Sequence, residues 1–459
     1  MSFVYHLSLL HGVVFRAVLG LALAGLGVTI VRRSRRWWSV ILPGLVVASA
    51  IPAAGLAWYL GHSGTVKDHY PPTFGLWVGA PLLALGAAIA GWRSAGNWRR
   101  AVAVATVPLT VASAFLLINS HYGYWPTVGD LLGRPLTHHI NRQELTSLLA
   151  GRNRPIIHRG GRPTVGGEEP SAQGATHRAA AADAGHGVLA PLDTPPGTSG
   201  FEHRQGVLYL PPAFFDRPRP RLGVIVMLGG TPGGPEAWTR GGFAVRTTDA
   251  YAAQHHGVAP ILAFVDHNGS FLRDTECVDG PTGNAETFLA SDTPRFLADQ
   301  LHIPLDPQQW AVAGFSEGGV CAFELGVRHP DVYGTFIDLA GDRIPNLGSP
   351  AVTLEKLYGG DRAAMAAHDP DNLLRSHRFR DLTGWFVAGG SDGRHVGVIH
   401  SLAAAARDAG ITVSEKIVPG GHDWQFAAAA FRAALPTVAD QLDAAPGPAP
   451  GAATGARSA

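Results

Sequence analysis

Charged residues are scarce in this 459-residue sequence: 15% of positions are Asp, Glu, Lys or Arg, and the formal net charge is +1. Lysine occurs only at Lys67, Lys356 and Lys416. A nucleic-acid-binding surface needs concentrated positive charge, so we expect no nucleic acid among the partners. The preference for Arg over Lys, with abundant Ala and Gly, is typical of a GC-rich bacterial genome.

Cysteine is almost absent, with only Cys277 and Cys321. Two cysteines cannot complete a structural zinc site, and no paired histidine spacing supplies further ligands, so the sequence predicts no metal and no cofactor. In an oxidising compartment the pair favours a disulfide, and closing that loop is worth about 4 kcal/mol in the chain-entropy model. Two buried free thiols are the alternative.

Long apolar runs are concentrated before residue 120, which explains a mean hydropathy of +0.10. A membrane-spanning helix needs about 20 predominantly apolar residues. The sequence therefore predicts a transmembrane region with four helices over residues 1–125, and soluble core helices are the alternative. The four predicted spans are 9–31, 37–60, 74–92 and 101–119.

Basic residues predict the orientation of these spans. Segments 32–36 and 93–100, which join the first span to the second and the third to the fourth, are rich in Arg. The loop between the second and third spans holds only Lys67, offset by Asp68. The positive-inside rule places the Arg-rich loops in the cytoplasm and everything after the fourth span outside. Transport is disfavoured because Arg16 is the one charge within the spans.

The rest of the chain divides into three parts. Residues 126–200 are predicted to form a membrane-proximal segment and a linker rich in Gly, Ala, Pro and Arg, with too few large apolar residues to fold. Residues 201–443 alternate apolar strands with helices, which predicts an α/β domain with a mostly parallel sheet. Residues 444–459 are predicted to be a disordered tail. The predicted strands are 207–210, 222–228, 260–265, 310–313, 333–339, 385–388 and 413–418, and the predicted helices are 247–256, 285–301, 316–328, 396–409 and 424–442.

Ser316 is the candidate nucleophile. It lies in Gly314-Phe315-Ser316-Glu317-Gly318, between an apolar stretch and a helical one. A strand, a sharp turn and a helix around such a serine form a nucleophile elbow, in which a helix N-terminus faces the developing negative charge. A glycine-rich turn with a capping serine is the alternative.

Two partners follow Ser316 in the order of an α/β hydrolase. Asp392 comes just after a predicted strand, and His422 lies in a glycine-rich loop after the next one. His422 would accept the Ser316 proton, and Asp392 would hold the imidazole tautomer. Asp338 and Asp342, one strand earlier, are the rivals to Asp392.

An oxyanion hole requires two N–H donors. One is expected to be the amide of Glu317, the residue after the nucleophile. The other is expected from Thr231, in the glycine-rich loop 229–234 that follows a predicted strand. A plain glycine turn is the alternative; a phosphate-binding loop is disfavoured because no Gly-Lys-Ser/Thr follows.

Three motifs carry a resemblance to a known family: Leu228-Gly229-Gly230, Glu286-Thr287-Phe288-Leu289 and the elbow with the later Arg328-His329-Pro330. Over residues 205–440 the chain resembles the esterase-D and secreted mycolyltransferase branch of the α/β hydrolases. The resemblance implies ester chemistry with Ser316, Asp392 and His422 as the triad. The chain departs from the pattern at Gly229, where mycolyltransferases have an acid, and at Glu317, which replaces an apolar residue.

The expected protein is a membrane-anchored extracytoplasmic serine esterase whose partners are the lipid bilayer and a small-molecule or lipid ester. An acyltransferase acting on envelope lipids or glycans is the alternative within the same chemistry. A catalytically inactive hydrolase fold that serves as a binding module is the alternative outside it.

Overall fold

A computed structural model describes residues 2–62, 71–133, 139–150, 185–216 and 218–443 of the chain. Most of the predicted linker, residues 151–184, and the predicted tail, residues 444–459, lie outside the described residues.

The N-terminal region contains four helices that are long and apolar enough to cross a membrane. Helix α1 packs on α4, α4 on α3, and α3 on α2. Small side chains permit this close packing, since Ala84 and Ala87 of α3 are fully buried. The four long apolar helices predicted from the sequence are confirmed. Their bounds are Val13–Ile30 for α1, Leu42–His62 for α2 (after a π-helical turn, Trp37–Ile41), Phe74–Gly91 for α3 and Asn97–Tyr122 for α4.

The two Arg-rich loops meet at one end of this bundle. The Arg32 guanidinium donates to the Gly91 carbonyl oxygen at 3.1 Å and to Ser94 Oγ at 2.9 Å. Arg99, from the second loop, donates to the Val28 carbonyl oxygen at 2.5 Å. The α/β domain contacts the opposite end, where α4 finishes at Tyr122.

An eight-stranded sheet forms the centre of the second domain, in the order β1-β2-β4-β3-β5-β6-β7-β8. Strands β3 to β8 are mutually parallel, and β2 is antiparallel to both of its neighbours. This order, with one antiparallel strand near the edge, is that of the α/β-hydrolase fold, as predicted. The strands are Val188–Leu192 (β1), Gly206–Leu210 (β2), Val224–Leu228 (β3), Ile261–Phe264 (β4), Trp310–Phe315 (β5), Thr335–Leu339 (β6), Thr383–Gly389 (β7) and Thr412–Val418 (β8).

Helices cover both faces of the sheet, which explains why the parallel strands are almost continuously apolar. One face buries a cluster around Phe288 and Phe323, and the other buries a cluster around Trp238 and Phe431. The helices are Arg142–Ala150 (α5), Ala244–Gln254 (α6), Thr293–Leu301 (α7), Glu317–Arg328 (α8), Pro350–Tyr358 (α9), Arg362–Ala367 (α10), Pro370–Ser376 (α11), Gly393–Asp408 (α12) and Trp424–Asp443 (α13), with shorter turns at Ser2–Tyr5, Val128–Leu131 and Ala285–Thr287.

The folded structure of the α/β domain begins before residue 201, where the sequence predicts its boundary. Strand β1 pairs antiparallel with β2, and its Leu189 and Ala190 are each 1% exposed. Helix α5 also packs on this domain and buries Leu145 in its core. The strand is a run of only five apolar residues, Val-Leu-Ala-Pro-Leu, and it directly follows Gly- and Ala-rich sequence.

A short aromatic segment connects the bundle to the α/β domain. Tyr124 is 6% exposed and lies edge-on to Trp424 of α13 and to Phe271, with ring centroids 6.4 Å and 6.0 Å apart. The end of α4 is thereby packed against the domain that carries the candidate site.

Candidate active site

Ser316 occupies the sharp turn between β5 and α8. Its φ of 59° and ψ of −120° are strained for a residue with a side chain. The flanking glycines are required by space: a Cβ on Gly314 would lie 1.8 Å from the Gly318 carbonyl oxygen, and one on Gly318 would lie 2.4 Å from that of Gly229. The turn therefore projects the serine hydroxyl beyond the carboxyl end of the sheet.

His422 lies between β8 and α13 and contacts two of the predicted site residues. Its Nε2 is 2.9 Å from Ser316 Oγ, and its Nδ1 is 2.9 Å from Asp392 Oδ2. The ring is held in place by Phe315, whose centroid is 4.9 Å away. The structure thus brings Ser316, His422 and Asp392 into one hydrogen-bonded chain.

Asp392 caps the start of α12 and accepts hydrogen bonds from two histidines. His395 donates its backbone N–H at 3.3 Å and lies with Nδ1 2.6 Å from Asp392 Oδ2. Burial alone would raise the pKa of Asp392, but the contacts with His395 and His422 hold this pKa well below its usual value. Because an ionised carboxylate only accepts hydrogen bonds, the His422 proton lies on Nδ1, which leaves Nε2 to accept from Ser316.

His395 is a site residue that was not predicted from the sequence. Its ring stacks on His422 at a centroid distance of 4.4 Å and is 3.4 Å from Asp342 Oδ1 on its far side. Burial works to lower the His395 pKa, but hydrogen bonds with Asp342 and Asp392 raise it overall. The sequence did contain a signal for His395, because a side chain three residues after a helix N-cap, here Asp392, lies next to the capping side chain.

The two rival acids have other surroundings. Asp342 accepts hydrogen bonds from Arg394 and from Asn346 Nδ2. It also lies 3.4 Å from His395 Nε2, so its histidine neighbour is His395 and not His422. Asp338 is fully buried in β6, where it accepts the Gly341 N–H at 2.8 Å and where burial raises its pKa to about 7. Neither of these carboxylates has a hydrogen bond to His422 in the described part of the chain.

Glu317 explains one departure from the family pattern. Its buried carboxylate accepts hydrogen bonds from Thr231 Oγ1 and from Asn268 Nδ2, the latter at 2.8 Å, and lies 3.5 Å from His267 Nε2. Burial works against a charged His267, but Glu317, with help from Asp266, raises the His267 pKa overall. The carboxylate therefore joins the first turn of α8 to the loop that carries Thr231.

The loop after β3 lies directly against the nucleophile. A Cβ on Gly230 would be 3.1 Å from Ser316 Cβ, and Gly230 and Thr231 line the same cavity as the serine. Glu317 is the first residue of α8, so its amide is one of the helix N-terminal donors. Both predicted oxyanion residues thus flank Ser316.

Cys277 and Cys321 form a disulfide, with Cα atoms 5.5 Å apart. Cys321 lies in α8, and Cys277 ends the loop that contains His267 and Asn268. Thr275, in the same loop, donates its N–H to Asn268 Oδ1 at 2.8 Å. The covalent bond therefore holds the loop around Glu317 against the nucleophile helix.

Among the residues that the structure describes, two groups of side chains are close enough together to be considered as metal ligands. In one of them, both sulfur atoms of Cys277 and Cys321 are used in the disulfide. In the other, Asp392, His395 and His422 direct their atoms at one another in hydrogen bonds. Both groups are thus accounted for by protein contacts.

An apolar cavity of about 430 Å³ opens onto Ser316 and His422. Its lining comes from the α/β domain on one side, including Phe315 and Trp424, and from the long apolar helices α2, α3 and α4 on the other. The contribution of the helical region to this site was not predicted from the sequence.

A strained serine on a strand-to-helix turn, in contact with a histidine that in turn contacts an acid, is the arrangement found in the class of α/β hydrolases. The chain belongs to the family described as "Putative esterase", whose profile matches residues 202–440.

An uncharacterised protein of Corynebacterium glutamicum is 31% identical over 417 residues, covering 89% of this chain and 90% of the relative. The α/β domain described here begins near residue 185, so a match of this length also includes most of the helical region.

Among solved structures, the chain is similar to a ferulic acid esterase, with a TM-score of 0.48, 20% identity and coverage of 56% of this chain and 98% of that one. It is also similar to MPT51 of Mycobacterium tuberculosis, with a TM-score of 0.41, 17% identity and coverage of 55% and 97%.

Proposed function

We propose that the protein is a membrane-anchored serine esterase that cleaves carboxylic esters through an acyl-Ser316 intermediate. Ser316 Oγ attacks the ester carbonyl carbon while His422 Nε2 takes the hydroxyl proton. When the ester C–O bond breaks, His422 returns that proton to the departing alcohol oxygen. Water then attacks the acyl group, gives a proton to His422 and releases the carboxylic acid, after which Ser316 regains its proton.

The supporting groups fit these steps. Asp392 holds the Nδ1–H tautomer of His422 and stabilises the ring when it is charged, and His395 keeps Asp392 ionised. The amides of Glu317 and Thr231 are the proposed donors to the negative oxygen of the tetrahedral intermediate.

The α/β domain is proposed to face away from the cytoplasm. It contacts the end of the bundle opposite the two Arg-rich loops, which the positive-inside rule assigns to the cytoplasm. The disulfide supports the same side, because such bonds persist in oxidising compartments. An alkaline phosphatase fused after residue 443 should be active and one fused after Arg36 inactive; the reverse pattern would refute this orientation.

The observation that carries the proposal is the pair of 2.9 Å contacts that His422 makes with Ser316 and Asp392. A fluorophosphonate should label the wild-type protein and the surface variant Ser401→Ala on Ser316, and leave Ser316→Ala unlabelled. Turnover of p-nitrophenyl acetate should fall by about 10⁴-fold or more in Ser316→Ala. A folded wild-type protein that resists labelling would instead be an inactive binding module.

A further inference from the structure

The cavity beside Ser316 has two chemically different ends. Ser316, His422 and Thr231 gather at one end. The other end is lined by aliphatic and aromatic side chains of the membrane helices: Leu56 and Leu60 of α2, Phe74 and Val78 of α3, and Phe115 and Ile118 of α4. An ester that filled this cavity would place its carbonyl group at the serine and a hydrocarbon chain against the helices.

Helical spacing gives each membrane helix one face toward the cavity. Leu56 and Leu60 are four residues apart, as are Phe74 and Val78, so each pair lies on a single side of its helix. Helix α3 lies between its packing partners α2 and α4. The three helices therefore form a continuous apolar wall.

The apolar end lies at the depth of the hydrocarbon boundary. Trp38 and Trp58 are 48% and 62% exposed near the two ends of the second span, as expected for residues at the two membrane interfaces. Twenty residues separate them, which corresponds to about 30 Å of helix and to the thickness of the hydrocarbon core. Leu56 therefore lies just inside the hydrocarbon, and Leu60, two residues past Trp58, lies about 3 Å beyond the hydrocarbon boundary.

The cavity also reaches the side of the bundle. Leu56 lines the cavity and is 41% exposed, while Trp58 and Tyr59, on the same helix but outside the cavity lining, are 62% and 61% exposed. Helix α2 is thus at the surface of the bundle, where a chain dissolved in the bilayer would reach the cavity without crossing water. Burial of methylene groups against the helices would then replace burial in lipid at little cost.

We propose that this cavity is an acyl-chain site, and that the substrate is a long-chain lipid ester which reaches Ser316 from the outer half of the bilayer. This inference rests on the proposed serine esterase function and names its substrate class. In the step already described, the acyl group moves from the lipid oxygen to Ser316 Oγ, and the lipid alcohol is released. The membrane helices are thus part of the substrate site as well as an anchor.

The test uses the full chain in phosphatidylcholine–phosphatidylglycerol nanodiscs. Ethyl, octyl and hexadecyl fluorophosphonates react with Ser316 Oγ by displacing fluoride, and intact mass gives each rate constant. In the wild-type protein the hexadecyl rate constant should exceed the ethyl rate constant, because the long-chain reagent concentrates in the bilayer and its chain fits the cavity. In Val78→Trp, which fills the apolar end, the ratio of the hexadecyl to the ethyl rate constant should fall at least about tenfold, because the long chain no longer fits.

Leu76→Trp is the matched control, since Leu76 is on the same helix, 71% exposed and absent from the cavity lining. Leu76→Trp adds the same side chain in the same bilayer, so partitioning of the reagents into the nanodisc is equal for the two variants. Leu76→Trp should therefore keep the wild-type ratio of rate constants. Ile118→Trp provides a second test from α4 if Val78→Trp does not fold. A ratio unchanged in Val78→Trp and Ile118→Trp would overturn the acyl-chain site. Absence of reaction with the ethyl reagent as well would overturn the esterase function itself.

Discussion

The buried carboxylate of Glu317 provides the sharpest test of how the site is held together. Glu317→Leu keeps a side chain of similar size that is compatible with the helix. It removes the acceptor used by Thr231 Oγ1 and Asn268 Nδ2, and it leaves the nearby His267 without its counter-charge. Asn268 Nδ2 keeps its contact with Thr231 Oγ1 at 2.9 Å but loses its buried acceptor. A buried donor without an acceptor costs about 1–3 kcal/mol, which the loop would recover by relaxing away from α8.

Relaxation of this loop would displace the Thr231 amide from the proposed oxyanion hole. A shift of about 1 Å costs roughly 10²-fold in rate, and complete loss of one donor costs about 10²–10³-fold. We therefore expect kcat for p-nitrophenyl acetate to fall about 10²-fold in Glu317→Leu. KM should change little, because these donors act on charge that develops after binding. Glu317→Gln, which retains one acceptor oxygen, should have an intermediate kcat.

Glu324 provides the matched control for this experiment. It lies on the same helix, is 3% exposed and accepts a hydrogen bond from His368 Nδ1 at 3.0 Å, away from the Thr231 loop. Glu324→Leu should therefore lower Tm without lowering kcat. If Glu317→Leu and Glu324→Leu lose stability alike and both keep wild-type kcat, Glu317 has no role in positioning the loop.

Three further predictions concern the disulfide, the pH dependence of stability and the second histidine. Replacing both Cys277 and Cys321 with Ser should lower the free energy of unfolding by about 4 kcal/mol, because the bond closes a 44-residue separation; an unchanged Tm would contradict this. Burial works to raise the Glu286 pKa, but hydrogen bonds with His329 and Arg328 lower this pKa from 4.5 to about 2. Because the ionised carboxylate stabilises the fold, about 3 kcal/mol of the free energy of unfolding should be lost as pH falls from about 4.5 to 2. Glu286→Gln should lack this loss in Tm measured at pH 6 and 3, and the same acid loss in both proteins would refute the assignment. His395→Phe keeps a ring beside His422 but removes a hydrogen-bond donor to Asp392. Asp392 should then hold a proton on His422 more strongly, so the fall of kcat/KM at acid pH should begin at a higher pH. If the acid side of the pH profile does not move, His395 does not act through Asp392.

The interior of the α/β domain was predictable because its physical signals are local. Buried parallel strands are apolar runs, and the bounds of all seven predicted strands agree with the structure to within a few residues. Strand β1 was missed because Pro191 and the surrounding Gly/Ala-rich sequence resemble a linker, whereas an edge strand tolerates proline. The helices α9 to α11 were also missed, although Ser349, Asp361 and Asp369 each cap one of them.

The three triad candidates could be predicted from their order along the chain, but the residues that pack around them could not. The contacts of Glu317 with Thr231 and Asn268 join positions 49 to 86 residues apart. The packing of Tyr124 on Trp424 spans a still longer separation and places the long apolar helices beside the serine. Such long-range pairings have no local sequence signature, so the composite cavity could only be seen once the chain was folded.

The disulfide has a practical consequence for studying this protein in motion. Both cysteines of the chain are consumed in it, so no free thiol remains. A pair of cysteines introduced at exposed positions, one in the bundle such as Leu76 and one in the α/β domain such as Leu272, would be the sole targets for a maleimide dye or a nitroxide. Fluorescence and spin-label distances between the bundle and the α/β domain can therefore be measured on the otherwise native sequence, with no background cysteines to remove first.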